Sequence, residues 1–386
     1  MLVKRYGEGL PGGREPQLKR RQTESSNCCV NYGHYQILAA CYGDKGVRKQ
    51  MEDEHLMLPS LLPFQPSLSA CDFAVFGVFD GHGGRQAALF VKEALPAELA
   101  AQLLLLQKEK QQQAAAAAGD SGSSSKGVEP MAEEACMNGD CSPHTSPPTA
   151  TSTTAAAAGF CDDEEEHDEQ EQSHAGGLSD REMKQVLFAA FKKVDARIAT
   201  EIPACRDGCT AVVVLMRERQ VYVACLGDSA AYLARKKDST LHCIPLTEVH
   251  RHWVIEEKER IARMGGTIEN GRVNGALEVT RSFGDISLKR YGVSCLPTVK
   301  KFTLEPTQDQ FLLLGCDGFW NCWTARDAVT LAAELWDKEV RSSKVHSRPV
   351  DPQNVCKQLV EHVLIDKKSQ DNITLMMLRV LPDTPY

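Results

Sequence analysis

The stretch from Phe73 to Gly84, FAVFGVFDGHGG, constrains this chain more than any other. Phe73, Val75, Phe76, Val78 and Phe79 put apolar side chains on both faces of an extended segment. That pattern suits a strand buried between two layers rather than one with a wet side. At its end Asp80 and His82 stand among Gly81, Gly83 and Gly84. Glycine admits backbone angles that other residues avoid, and leaves room for a ligand. A carboxylate and an imidazole delivered into a glycine turn suit a metal or phosphate site. They also suit a plain strand-to-helix turn in which Asp80 caps the helix that follows. The rest of the chain decides between the two.

Residues 1–34 read as a flexible arm, rich in glycine and charge, with a basic cluster at Lys19, Arg20 and Arg21. Tyr35–Cys41 reads as the first strand, and residues 85–113 have a helical composition. Three low-complexity segments follow, among them QQQAAAAAGDSGSSSKG and CDDEEEHDEQEQ. They lack the apolar content of a core, so residues 111–177 read as a disordered insertion within a single domain of 35–380. Ser179 and Glu182 match a capping box, and Met183, Val186, Leu187, Ala190, Phe191, Val194 and Ile198 form one helical stripe. Thr210–Met216 and Gln220–Leu226 flank a charged turn, a hairpin pattern. Ala230–Arg235, Phe311–Cys316 and Ile373–Val380 read as strands. Glu256–Met264, Thr324–Asp337 and a segment opening at Asp351–Pro352 read as helices. Helices, then many strands, then helices make an α+β layered domain.

Composition narrows the function. The net charge of −8 over 386 residues argues against a nucleic-acid partner. No apolar run reaches the length of a bilayer span, so no membrane partner is expected. The fifteen cysteines, with no CxxC pair and no signal-peptide core ahead of them, point to a reducing compartment. The expected location is the cytoplasm, with the nucleus second. Cys136, Cys141 and His144 fall in the low-complexity tract and read as unstructured rather than zinc-binding.

The chemistry lies in acidic residues at strand edges: Glu52 with Asp53, Asp80, Asp317, Asp371, and Asp228 in LGDS. Each alone suits a turn. Together they imply strand ends converging on one carboxylate pocket. Such a pocket needs cations, because crowded carboxylates otherwise take up protons. Hard oxygen donors select Mg2+ or Mn2+ over zinc or copper.

Seven motifs then occur in order: RKQMED (Arg48–Asp53), FDGHGG (Phe79–Gly84), DGCTA (Asp207–Ala211), LGDS (Leu226–Ser229), TRSFGD (Thr280–Asp285), CDGFW (Cys316–Trp320) and DNIT (Asp371–Thr374). In these the chain resembles the metal-dependent serine/threonine protein phosphatases of type 2C, the PPM-type phosphatases, over residues 35–110 and 178–380. The resemblance implies a central β-sandwich of two antiparallel sheets with helices on both outer faces. It implies a monomer acting on phosphoprotein substrates, by attack of a hydroxide that bridges two Mg2+ or Mn2+ ions. Asp80 would bridge the ions, and Asp317 and Asp371 would complete the first shell. Glu52, the Gly81 carbonyl and, through water, Asp53 would serve the second. Arg48 would hold the substrate phosphate and His82 would protonate the leaving oxygen. Asp228 would help hold a weaker third ion. No catalytic cysteine is implied, and Cys209, Cys225 and Cys316 read as small core residues. Three positions depart from the family pattern: Ala230 after GDS, Cys209 in place of serine or threonine, and Asn321 where an acidic residue is frequent. The stretch Leu246–Gly266 resembles the approach to the family's mobile flap. The alternatives are a non-catalytic binding member of the same fold, which should lack one of Arg48, Asp80, Asp317 or Asp371, and a metal nuclease, which the acidic charge disfavours.

Overall fold

The computed structural model describes residues 23–120 and 178–382. In chain order its strands are β1 (Thr23–Asn31), β2 (Tyr35–Asp44), β3 (Glu54–Leu58), β4 (Ala74–Phe79), β5 (Gly81–His82), β6 (Gly208–Cys209), β7 (Ala211–Arg217) and β8 (Gln220–Leu226). There follow β9 (Ala230–Lys237), β10 (Thr240–Pro245), β11 (Ile268–Glu269), β12 (Arg272–Val273), β13 (Phe283–Gly284), β14 (Thr298–Thr303), β15 (Asp309–Gly315) and β16 (Ile373–Pro382). The helices are α1 (Gln86–Asp120), α2 (Asp180–Glu201), α3 (Ile255–Arg263), α4 (Ile286–Lys289), α5 (Asp317–Trp320), α6 (Ala325–Val345) and α7 (Pro352–Ile365). The described residues fall in two units, a larger one of 23–109 with 180–382 and a smaller one that takes in 110–120 and 178–179.

The larger unit holds two antiparallel sheets, in the orders β1-β2-β16-β15-β9-β10 and β14-β8-β7-β4-β3. Their facing sides share one core. Ile37, Leu312, Leu314, Met376 and Leu378 from the first sheet meet Phe76, Val78, Val212 and Val214 from the second. The alternate residues of the first sheet, Phe311, Leu313, Leu375 and Met377, pack beneath Val329, Ala332, Val355, Leu359 and Val363 of α6 and α7. In the second sheet Val213 and Leu215 alternate with the core residues and are also fully buried. On that side Lys92 of α1 reaches Glu54 of β3 at 2.7 Å, and Arg197 of α2 reaches Glu98 of α1 at 3.1 Å. The α+β sandwich expected from sequence is therefore present. It explains why the strands are apolar on both faces: each sheet is covered twice.

The sequence reading is corrected at the N-terminus. Thr23–Asn31 is not part of a loose arm but an edge strand, with Cys28 opposite Ala39 and Val30 opposite Ile37. The stretch TESSNCCVN has few apolar residues, so its pairing edge on β2 reveals it and its own pattern does not. Helix α1 also runs to Asp120, beyond the expected boundary at 111. Lys19, Arg20, Arg21, Cys136, Cys141, His144 and residues 121–177 lie outside the described residues.

Candidate active site

Antiparallel pairing brings the strand ends of the motifs to one edge of the sandwich. Asp80 follows the end of β4, and Glu52 and Asp53 precede the start of β3, whose Glu54 pairs with Phe79. Asp317 follows β15 and Asp371 precedes β16, where Gly315 pairs with Leu375. Asp228 follows β8. One cavity of about 410 Å³ is lined by Arg48, Glu52, Asp80, Gly81, His82, Asp228, Asp317 and Asp371. Asp53 does not line it. It is buried below, where its Oδ2 accepts a hydrogen bond from the Thr374 hydroxyl at 2.7 Å.

The glycine turn has a steric reason. A Cβ on Gly81 would stand 2.3 Å from the Glu52 carbonyl oxygen, so glycine lets the two backbones meet. β5 pairs with β6 and β6 with β13, a three-stranded ribbon that places His82 beside Asp285. His82 Nε2 and Asp285 Oδ2 are 2.7 Å apart, and the Ser282 hydroxyl donates to the same oxygen at 2.6 Å. A Cβ on Gly208 would lie 2.1 Å from Asp285 Oδ2 and 2.4 Å from His82 Nε2. Glycine at 208 is thus what admits this contact. Burial pulls the His82 imidazole down, and the hydrogen bond and charge of Asp285 outweigh it, so its pKa stands above the ordinary value.

Arg48 is half exposed at the rim, with Nε donating to the Gln370 carbonyl at 3.1 Å and Nη2 to Asp371 Oδ2 at 2.7 Å. Asn372 clamps the loop that carries Arg48 and Glu52. Its Nδ2 donates to the carbonyls of Lys45 and Gln50, each at 3.0 Å, and its Oδ1 accepts from the Glu52 N–H at 2.8 Å. Asp228 is paired with Arg251, a residue not singled out from the sequence.

The donor set fits hard divalent cations. Burial, and then the charges of Asp53, Asp317, Asp228 and Asp371, hold the Asp80 carboxyl well above the usual range. Burial pushes Asp53 up to about 7 and Asp228 up to about 6, and it also raises Asp317. Oxygens of Asp53 and Asp80 and the Cys316 sulfur lie within 4.8 Å of one another. Burial keeps Cys316 a thiol; it donates to the Asn372 carbonyl at 3.5 Å and accepts from the Thr374 N–H at 3.1 Å. The carboxylates are therefore the groups offered to a metal, and divalent charge would relieve their crowding.

These shifts carry a stability consequence. The folded chain binds protons at Asp53 and Asp228 more tightly than the unfolded chain does. Their contribution to metal-free stability is then full at acid pH and is lost as pH climbs from the ordinary carboxylate range through about 6 and 7, while burial holds His55 and His250 down to about 4 and about 3 and makes their contribution run the other way. Added Mn2+ should therefore raise the thermal midpoint of EDTA-stripped protein more at about pH 8 than at about pH 5. An equal or smaller rise at the higher pH would contradict this.

Sequence reasoning missed Asp285, Asn372 and Arg251. The first two lie within quoted motifs, TRSFGD and DNIT, but their partners are more than 200 residues away in the chain. Arg251 lies in the flap approach, where no local pattern marks its target.

The model of the family described as protein phosphatase 2C matches residues 42–146 and 148–373. The integrin-linked kinase-associated serine/threonine phosphatase 2C of Bos taurus is 29% identical over 347 residues, 87% of this chain and 75% of the relative. The Rattus norvegicus protein of that name is 34% identical over 209 residues, so the match spans 52% of this chain and 53% of that one. A serine-threonine phosphatase 2C structure from Toxoplasma gondii superposes with a TM-score of 0.63 at 21% identity, over 93% of this chain and 99% of the other, and speaks to the fold alone. With sandwich, carboxylate pocket and relatives in agreement, the chain belongs to the protein phosphatase 2C family and is a protein phosphatase of that family.

Proposed function

We propose that this chain hydrolyses phosphoserine and phosphothreonine in protein substrates, with water as the nucleophile and two Mg2+ or Mn2+ ions as cofactors. The observation that supports it most is the single cavity joining Arg48, His82 and the carboxylates of Glu52, Asp80, Asp317 and Asp371. Two ions bound there supply positive charge and a water of lowered pKa. Asp80 would share both ions, Asp317 and Asp371 would serve one, and Glu52 and the Gly81 carbonyl would serve the other. Asp53, which is buried, would act through water. The Arg48 guanidinium offers parallel N–H donors to two phosphate oxygens. His82 supplies the proton that the departing seryl or threonyl oxygen needs. Asp285 orients its ring through the 2.7 Å contact. Cys209, Cys225 and Cys316 are buried with their thiols pushed up, which suits core residues and not nucleophiles.

The test is phosphate release from a phosphothreonine peptide by EDTA-stripped full-length protein, with and without Mn2+, beside a matched phosphotyrosine peptide. Release that requires Mn2+ and favours phosphothreonine is expected. Release without metal, or none with it, would overturn the reading. The second outcome is the one a binding-only member would give.

A further inference from the structure

Arg251 meets three carboxylates beside the pocket. Its Nη2 contacts Asp228 Oδ2 and also Asp317 Oδ2 at 3.1 Å, while Nη1 reaches Glu278 at 3.1 Å. Its side chain is only 15% exposed, and its guanidinium lies over the Trp253 ring at 5.6 Å. The backbone beneath it is fastened on two sides. His250 N–H donates to the Gly227 carbonyl at 2.8 Å, beside Asp228, and the His250 carbonyl accepts from Thr280 N–H at 2.9 Å. Arg251 itself bridges Val279. Glu278 and Val279, with Arg272, Ala276 and Leu277, also line the cavity.

Two carboxylates as near to one guanidinium as Asp228 and Asp317 need a cation between them. A divalent ion is one candidate and arginine is another. The guanidinium is charged at every accessible pH and presents several donors in a fixed plane. Hard cations hold carboxylate oxygens at about 2.0–2.6 Å. An ion and a guanidinium therefore compete for the same oxygens. Asn321 adds a neutral amide to this edge, its Nδ2 donating to Asp317 Oδ2 at 3.2 Å, the oxygen that Arg251 also contacts.

We propose that Arg251 is the resident cation of the Asp228–Asp317 edge: it takes the place of a third divalent ion there and ties the flap, through Glu278, to a carboxylate of the metal pocket. The chain then binds two ions and not three, in contrast to the third-ion role expected for Asp228 from sequence. The inference rests on the metal-phosphatase reading above. Arg251 acts through Asp317 and Glu278, so it is a positioning residue and not a catalytic one.

The test counts ions. EDTA-stripped full-length protein is titrated with Mn2+ while unbound Mn2+ is read by electron paramagnetic resonance. Wild type and Arg251→Lys should each bind two ions, and Arg251→Gln should bind a third, weaker one. Asp228→Asn, whose partner is the arginine and not a metal, should still bind two. This variant keeps the test decisive if Arg251→Gln does not fold. Three ions on wild type, a loss of one ion in Asp228→Asn, or only two on folded Arg251→Gln would overturn the inference. No bound ion on wild type would overturn the metal reading itself, and this inference with it.

Discussion

Replacing Asp80 by alanine should abolish phosphatase activity while leaving the protein folded. Asp80 lies at the centre of the carboxylate group, with its pKa raised by burial and by four neighbouring aspartates. It is the one acidic side chain that the proposed reading gives to both ions. Losing even an outer partner of a metal ligand lowers activity about 10- to 100-fold, so losing a shared ligand should exceed that. The fold should not suffer. Asp80 is crowded by like charges, and neither the core between the sheets nor the core beneath α6 and α7 includes it. The measurement pairs turnover on a phosphothreonine peptide with the thermal midpoint in EDTA. Turnover should fall beyond detection while the midpoint stays level or rises. Turnover within tenfold of wild type would remove Asp80 from the metal site, and a collapsed midpoint would make its role structural.

A second large effect should come from Asp285→Asn. The aspartate contacts His82 at 2.7 Å and lines the same cavity. General acid catalysis contributes about 100- to 10,000-fold where a leaving group needs a proton. An alkoxide leaving from serine or threonine needs one. A nitrophenolate does not. Asp285→Asn should therefore depress turnover of a phosphothreonine peptide by at least about tenfold, and turnover of p-nitrophenyl phosphate much less. His82→Ala should show the same split. Equal losses on both substrates would mean that Asp285 supports the ribbon and not the imidazole. That alternative is physically real, because the residue sits at φ 48°, a left-handed conformation that aspartate adopts less readily than glycine.

Much of this was legible in the chain because its chemistry and its architecture share the same residues. The run before Asp80 and the run before Asp317 are apolar on both faces, which only a doubly covered sheet explains. The acidic residues at their ends could be read as converging because turn residues at strand ends are local features. Arg251 and Asp285 were not legible in the same way. Their partners are fixed by which strand ends share an edge of the sandwich, a tertiary fact with no spacing signature. Asp228 shows the limit most plainly. Its motif marks it as a pocket residue, but only the folded chain shows that an arginine is paired with it. The edge strand Thr23–Asn31 was missed for a related reason: pairing to β2 along its whole length sustains it despite a largely polar sequence.

The central claim is that the strand-end carboxylates form a divalent-metal site. The most direct measurement is anomalous scattering at the manganese edge from crystals of the full chain soaked in Mn2+. Two peaks should appear in the cavity, both beside Asp80, with density for the Arg251 guanidinium retained between Asp228 and Asp317. A cavity without an anomalous peak at saturating Mn2+, in crystals of protein that still dephosphorylates the peptide, would contradict the account.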